Sequence, residues 1–154
     1  MSAIKKMCVV FFAVASAVIS SVASAEAPDK VDGATTINAE EAHKLFDSGA
    51  VFIDVRDEEA WKLGHIDGAV HLDFNEDEFV ILYVSEKLDR STQIVFYSNS
   101  PLSSRGAMAS YFAASWGYKN VHYFRDGYYA WMAKDYPVDL VASRPHLESG
   151  VSAR

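Results

Sequence analysis

The residues best equipped for chemistry sit in one stretch, Ile94-Val95-Phe96-Tyr97-Ser98-Asn99-Ser100-Pro101-Leu102-Ser103-Ser104-Arg105-Gly106-Ala107. Four hydroxyls (Ser98, Ser100, Ser103, Ser104), the Asn99 amide and the Arg105 guanidinium fall between positions 98 and 105. The run before them is apolar, β-branched and aromatic, the composition of a buried strand. Ser98 to Ser103 is small and polar with one proline, which predicts a tight loop. From Ser104 the spacing predicts a helix running to Gly117. A strand feeding a helix through a short loop aims backbone N–H groups and the positive end of the helix dipole at one spot. The expected result is a main-chain cradle for a small anion, built from Ser98, Asn99, Ser100, Pro101, Leu102, Ser103, Ser104 and Arg105. Pro101 removes one N–H from it. A serine nucleophile would need a general base beside it, and no histidine is placed by sequence to serve Ser98.

The composition bounds what surrounds this stretch. The chain has 154 residues, half of them hydrophobic and 13% aromatic, enough for one domain with its own core. Lys5 and Lys6, then the apolar stretch from Met7 to about Ile19, then Ala23-Ser24-Ala25, read as a secretory signal peptide at 1–25 with Glu26 as the first mature residue. The formal charge is −7, and losing Lys5 and Lys6 makes it −9. An acidic chain without a basic stripe is a poor partner for nucleic acid or an anionic membrane. The one cysteine, Cys8, lies in the signal segment and has no lipobox. The mature chain thus needs no disulfide and offers no thiol chemistry. A periplasmic or secreted location is expected, with no membrane association after cleavage.

The remaining elements have to position the loop. Residues 26–35 read as a flexible polar lead. Asn38 is an N-cap with Glu41 as capping-box partner, Ala42, Leu45 and Phe46 form an apolar face, and Gly49 ends that helix. His43 falls off the stripe and reads as solvated. Val51 to Arg56 is a buried parallel strand with charge at its carboxyl end, where ligand crevices lie in open α/β sheets. Asp54 and Arg56 project to the same side and read as an ion pair fixing the next loop. Asn75 to Leu88 predicts an amphipathic helix using Phe79, Leu82, Tyr83 and Leu88. In the helix after Ser104, Ala107, Met108, Tyr111, Phe112 and Trp116 read as a core stripe. Arg105 and Arg125 are the charges expected near the mouth. His65 and His71 supply at most two ligands, so no metal site is expected, and no cofactor. The last 14 residues, 141–154, read as a tail.

Asp54-Val55-Arg56, followed by Gly64-His65-Ile66-Asp67-Gly68-Ala69, resembles the N-terminal motif of single-domain rhodaneses, the sulfurtransferases. Asp126-Gly127 with Trp131, then Asp135-Tyr136-Pro137-Val138, resembles their C-terminal motif, with Asp126 and Asp135 standing where the family has glycines. The resemblance covers about 36 to 138 and implies a rhodanese-like domain at 36–140. It implies an α/β fold, a mostly parallel β-sheet covered by helices on both faces, as the alternating elements do. It also implies structural roles for Asp54, Arg56, His65, Gly68, Gly127 and Trp131.

The family's loop pattern, Cys-x-x-Gly-x-Arg-Ser, falls on Ser98 to Ser104. The nucleophilic cysteine becomes Ser98, the glycine Pro101 and the arginine Ser103, while Ser104 is kept. The loop keeps its six-residue length, and the phosphatases of this fold have one more. A thiol titrates near ~8.5 and is lowered further in such a cradle. A serine hydroxyl stays neutral there and forms no S–S bond. The expected function is an exported rhodanese-like protein without thiosulfate sulfurtransferase activity, binding a small oxyanion or a periplasmic protein. An active sulfurtransferase-family enzyme, or an enzyme with altered chemistry at the same loop, is one alternative. Another follows from a likeness of Asp126-Gly127 and Trp131 to secreted rhodanese-like proteins linked to quinone-cofactor alcohol oxidation, although the Cys-and-Trp motif of those proteins is absent. It implies an accessory protein of a periplasmic oxidation pathway.

Overall fold

A computed structural model describes residues 26–85 and 88–140. The expected signal peptide at 1–25, Cys8 within it and the 141–154 tail lie outside the described residues. Five parallel strands form the sheet: β1 Ala34–Ile37, β2 Val51–Asp54, β4 Val70–His71, β5 Gln93–Tyr97 and β6 Asn120–Phe124, in the order β1-β6-β5-β2-β4. A small antiparallel pair, β3 His65–Ile66 with β7 Val138–Asp139, lies apart. No helix among the described residues is long and apolar enough to cross a membrane.

Both faces of the sheet are covered, which is why β5 is apolar at every central position. Val95 and Tyr97 join Ile37, Phe52, Phe124 and Trp131 under α1 (Ala39–Asp47) and α5 (Gly127–Ala133). Ile94 and Phe96 join Ile53, Val55, Val121, Ala109 and Ala113 under α4 (Arg105–Ser115). Trp131 is fully buried, its ring 5.4 Å from Phe46 and 5.7 Å from Phe52, and its indole N–H donates to Pro137 O at 2.8 Å. Burying an indole of this kind contributes roughly 4–6 kcal/mol of transfer free energy. Asn38 and Glu41 form the capping box at α1, each reaching the other's N–H at 2.9 Å.

Four local readings change. The 26–35 lead is not loose: Ala27 is buried, its N–H donates to Pro101 O at 2.7 Å, and β1 begins at Ala34. The stretch 75–88 is not one helix. Asn75 N–H turns back to Asp73 Oδ1, and only a 3-10 turn at Asp77–Val80 and the short α3 (Ile81–Val84) follow. On α4 the face against the sheet is Gly106, Ala107, Ala109, Ser110 and Ala113, while Met108, Tyr111 and Phe112 are exposed. The sheet already presents Phe96 and Tyr123 there, so small residues let the helix lie close. His43 is half-buried, its ring 4.1 Å from Tyr136 and its Nδ1 3.2 Å from Asp47 Oδ2. Asp135, in place of the family glycine, keeps a left-handed φ of 55°, which aspartate tolerates better than most residues.

Candidate functional site

The loop leaves β5 at Tyr97 and enters α4 at Arg105, at the carboxyl edge of the sheet. Ser98 is 4% exposed, and its hydroxyl donates to Ser103 Oγ at 2.8 Å, closing the loop on itself. Ser103 N–H donates to Ser100 O at 3.1 Å, the turn that Pro101 and Leu102 fill. No histidine or carboxylate among the described residues hydrogen-bonds the Ser98 hydroxyl. The altered-enzyme alternative therefore has no general base in place. The first turn of α4 lies in contact range of the loop: a Cβ on Gly106 would stand 3.5 Å from Ser98 N and 3.2 Å from the Tyr123 ring. Helix geometry leaves those first-turn N–H groups without partners in the helix. Ser100 Oγ accepts the Leu102 N–H at 3.3 Å, and Ser104 makes no side-chain cap to the helix.

The loop is held from below by Arg56. This side chain is 2% exposed and Asp54 is fully buried; Nε lies 2.9 and 3.0 Å from the two carboxylate oxygens and Nη2 lies 2.6 Å from Oδ2. Nη2 also donates to Gly64 O at 2.7 Å, and Nη1 to Asn99 Oδ1 at 3.2 Å. The guanidinium carbon sits 4.2 Å from the centroid of the Tyr128 ring. One side chain thus ties the end of β2, the end of α2 (Glu58–Leu63) and the loop. Burial first, and then the Asp54 charge, push the Tyr97 hydroxyl well above its ordinary value, so it stays protonated beside this pair. It accepts the Ile66 N–H at 3.2 Å.

From the other side α5 grips the loop's carbonyls: Tyr128 N–H donates to Ser98 O at 2.8 Å and Tyr129 N–H to Asn99 O at 3.1 Å. Gly127, with φ 70°, permits this approach, since a Cβ there would stand 2.4 Å from Ser98 O. His65 is buried and architectural in its contacts: its ring stacks on Trp61 at 3.3 Å, with Nδ1 3.2 Å from Trp61 O. The His71 ring also stacks on Trp61, at 4.8 Å, with its Nε2 2.9 Å from Arg56 O. No group of three or more His, Cys, Asp or Glu side chains among the described residues is placed to hold a metal ion.

The two arginines expected at the mouth are both engaged. Arg105 Nη1 pairs with Asp57 Oδ2 at 3.0 Å, and Arg125 pairs with Glu26 and Asp29. Sequence reasoning missed Asp57, although an aspartate directly before Glu58-Glu59 is an N-cap signal. Its carboxylate accepts the Ala60 N–H at 2.9 Å. That bond, then Arg105, holds the carboxyl below its ordinary value. Asp57→Ala is expected to cost about 1 kcal/mol at neutral pH, the usual worth of an N-cap. Because the folded carboxyl is the stronger acid, that contribution is present above the unfolded value. It is lost as pH falls through the depressed folded value. Urea midpoints of both proteins at pH 7 and pH 3 check it: the gap narrows in acid. The contacts of Tyr128 and Asn99 with Arg56 carry no short-range signal, since 72 and 43 positions separate them.

This arrangement matches known proteins. The profile of the rhodanese-like domain matches residues 38–134. Thiosulfate sulfurtransferase GlpE of Pseudomonas entomophila (strain L48) is 36% identical over 95 residues, 62% of this chain and 82% of that protein. Rhodanese-like domain-containing protein 17 of Arabidopsis thaliana is 31% identical over 122 residues, 68% of this chain and 72% of that protein. Among solved structures, the human single-domain sulfurtransferase TSTD1 has a TM-score of 0.54 at 28% identity, covering 66% of this chain and 97% of its own. With the two sequence motifs, the parallel sheet and the strand–loop–helix site agreeing, the chain belongs to the rhodanese-like domain family.

Proposed function

We propose that the chain is an exported rhodanese-like module that binds a small oxyanion at the 98–104 loop and does not transfer sulfur from thiosulfate. The observation that carries this is Ser98: it stands at the nucleophile position, its hydroxyl is bound to Ser103, and residues 26–154 contain no thiol. Sulfur transfer by the family route forms and breaks an S–S bond at that position, and a hydroxyl forms none. The first turn of α4 and the loop hydroxyls supply donors for a tetrahedral anion.

Thiosulfate:cyanide turnover of the wild type and of Ser98→Cys tests it. The wild type is expected to match the buffer blank. The variant is expected to exceed it at least tenfold, because a thiolate in a donor-rich loop is favoured over one in water. Turnover by the wild type overturns the proposal.

A second reading has its own observation. Leu102 is 65% exposed at the loop tip, and Tyr111 and Phe112 are exposed on the adjoining helix face. Those apolar groups suit a periplasmic protein partner instead of a small ligand. Silence of both wild type and Ser98→Cys, with no calorimetric heat from thiosulfate or sulfate, favours this second reading. Nothing in the geometry favours the accessory role in an oxidation pathway.

A further inference from the structure

Arg125 directly follows β6, beside the loop, where a cation would serve an incoming anion. Its Nη2 is instead taken up by residues 26–29: Glu26 Oε2 at 2.9 Å, Asp29 Oδ1 at 3.1 Å and Ala27 O at 3.1 Å. Nε adds a bond to Ala27 O at 3.2 Å. The same residue, Ala27, donates its N–H to Pro101 O at 2.7 Å. Both main-chain groups of Ala27 are therefore spent between the loop and Arg125, and its methyl group is buried. Between Pro28 and Asp32 an open cleft of about 440 Å³ separates the segment from the Met108, Tyr111 and Phe112 side chains, and the chain meets α4 again at Gly33, against Ala114. The hold on 26–29 is thus concentrated at Ala27 and Arg125.

We propose that residues 26–29 form a strap that clamps the outer end of the 98–104 loop and withholds Arg125 from it. Release of the strap frees the loop's tip and gives the mouth a cation. The Glu26 and Asp29 carboxylates are 62% and 86% exposed, so each ion pair is weak and screened by salt. A strap held this way opens readily. In the closed state Arg125 faces two carboxylates, a net charge of −1 that repels anions; the open state favours them.

The test is the double variant Glu26→Gln/Asp29→Asn in the otherwise unchanged chain. Two readouts are taken. Amide exchange at Ala27 is expected to accelerate at least tenfold. Thiosulfate binding by calorimetry at low ionic strength, which rests on the oxyanion reading above, is expected to tighten at least threefold. Adding Arg125→Gln should remove that gain. Unchanged exchange at Ala27 overturns the strap. Thiosulfate binding that is present but equal in wild type and double variant overturns the withholding of Arg125. If none of the proteins binds thiosulfate, the oxyanion reading fails and the exchange result alone decides the strap.

Discussion

Arg56→Ala is expected to destabilise the protein by about 3–5 kcal/mol, the cost of leaving a buried ion pair with one member. The guanidinium makes three contacts of 2.6 to 3.0 Å with a carboxylate that has no exposed surface. Its removal strands the Asp54 charge, which keeps only neutral partners: the Arg56 N–H at 3.0 Å and the Tyr97 hydroxyl. The Gly64 carbonyl loses its 2.7 Å donor, and the Tyr128 ring loses its cation. Urea unfolding with an unchanged m-value reads the loss. Replacing both members by apolar residues, Asp54→Leu with Arg56→Met, is expected to recover much of it, since no orphaned charge remains. A loss under 1 kcal/mol for Arg56→Ala would mean that water reaches Asp54. The double variant should still differ from wild type at the loop, where Asn99 has lost its 3.2 Å tie. Stability recovers there, and the placement of Ser98 does not.

That separation explains what the sequence makes legible. Runs such as Val51 to Asp54 and Gln93 to Tyr97 are bounded by local signals, and both are strands where their pattern places them. The pairing of Asp54 with Arg56 is equally local, because two residues of one extended segment share a side. Contacts that reach across the chain leave no such trace. Ala27 and Arg125 stand 98 positions apart, and nothing in either neighbourhood marks the strap. The face of α4 is a different failure. Apolar residues lie nearly all round that helix, so size, not hydrophobicity, decides which side meets a sheet already filled by Phe96 and Tyr123. Arg105 and Arg125 were legible as charges near the loop, but their acidic partners were not, so the mouth is less cationic than its arginines suggest.

Gly127→Ala should be the most damaging single-methyl change at the loop, at about 2–5 kcal/mol. Gly127 holds φ 70°, where an L side chain costs roughly 1–2 kcal/mol. The added methyl would also stand 2.4 Å from Ser98 O, 2.8 Å from Asn99 C and 2.9 Å from Asn99 O. Those are backbone atoms and cannot swing aside as a side chain can, so overpacking adds roughly 1–3 kcal/mol. Gly68→Ala is the matched control. Gly68 has the same φ of 70°, but a Cβ there meets nothing within 4 Å. It is expected to cost only the conformational part, roughly 1–2 kcal/mol. The difference between the two urea midpoints measures the contact with the loop. Equal losses would mean that α5 does not press on Ser98. Placed in the Ser98→Cys protein, the same pair separates stability from positioning. Gly68→Ala should leave the acquired turnover intact at a temperature where both proteins are folded. Gly127→Ala should abolish it, because the bonds from Tyr128 and Tyr129 N–H that set the nucleophile's carbonyl can no longer form.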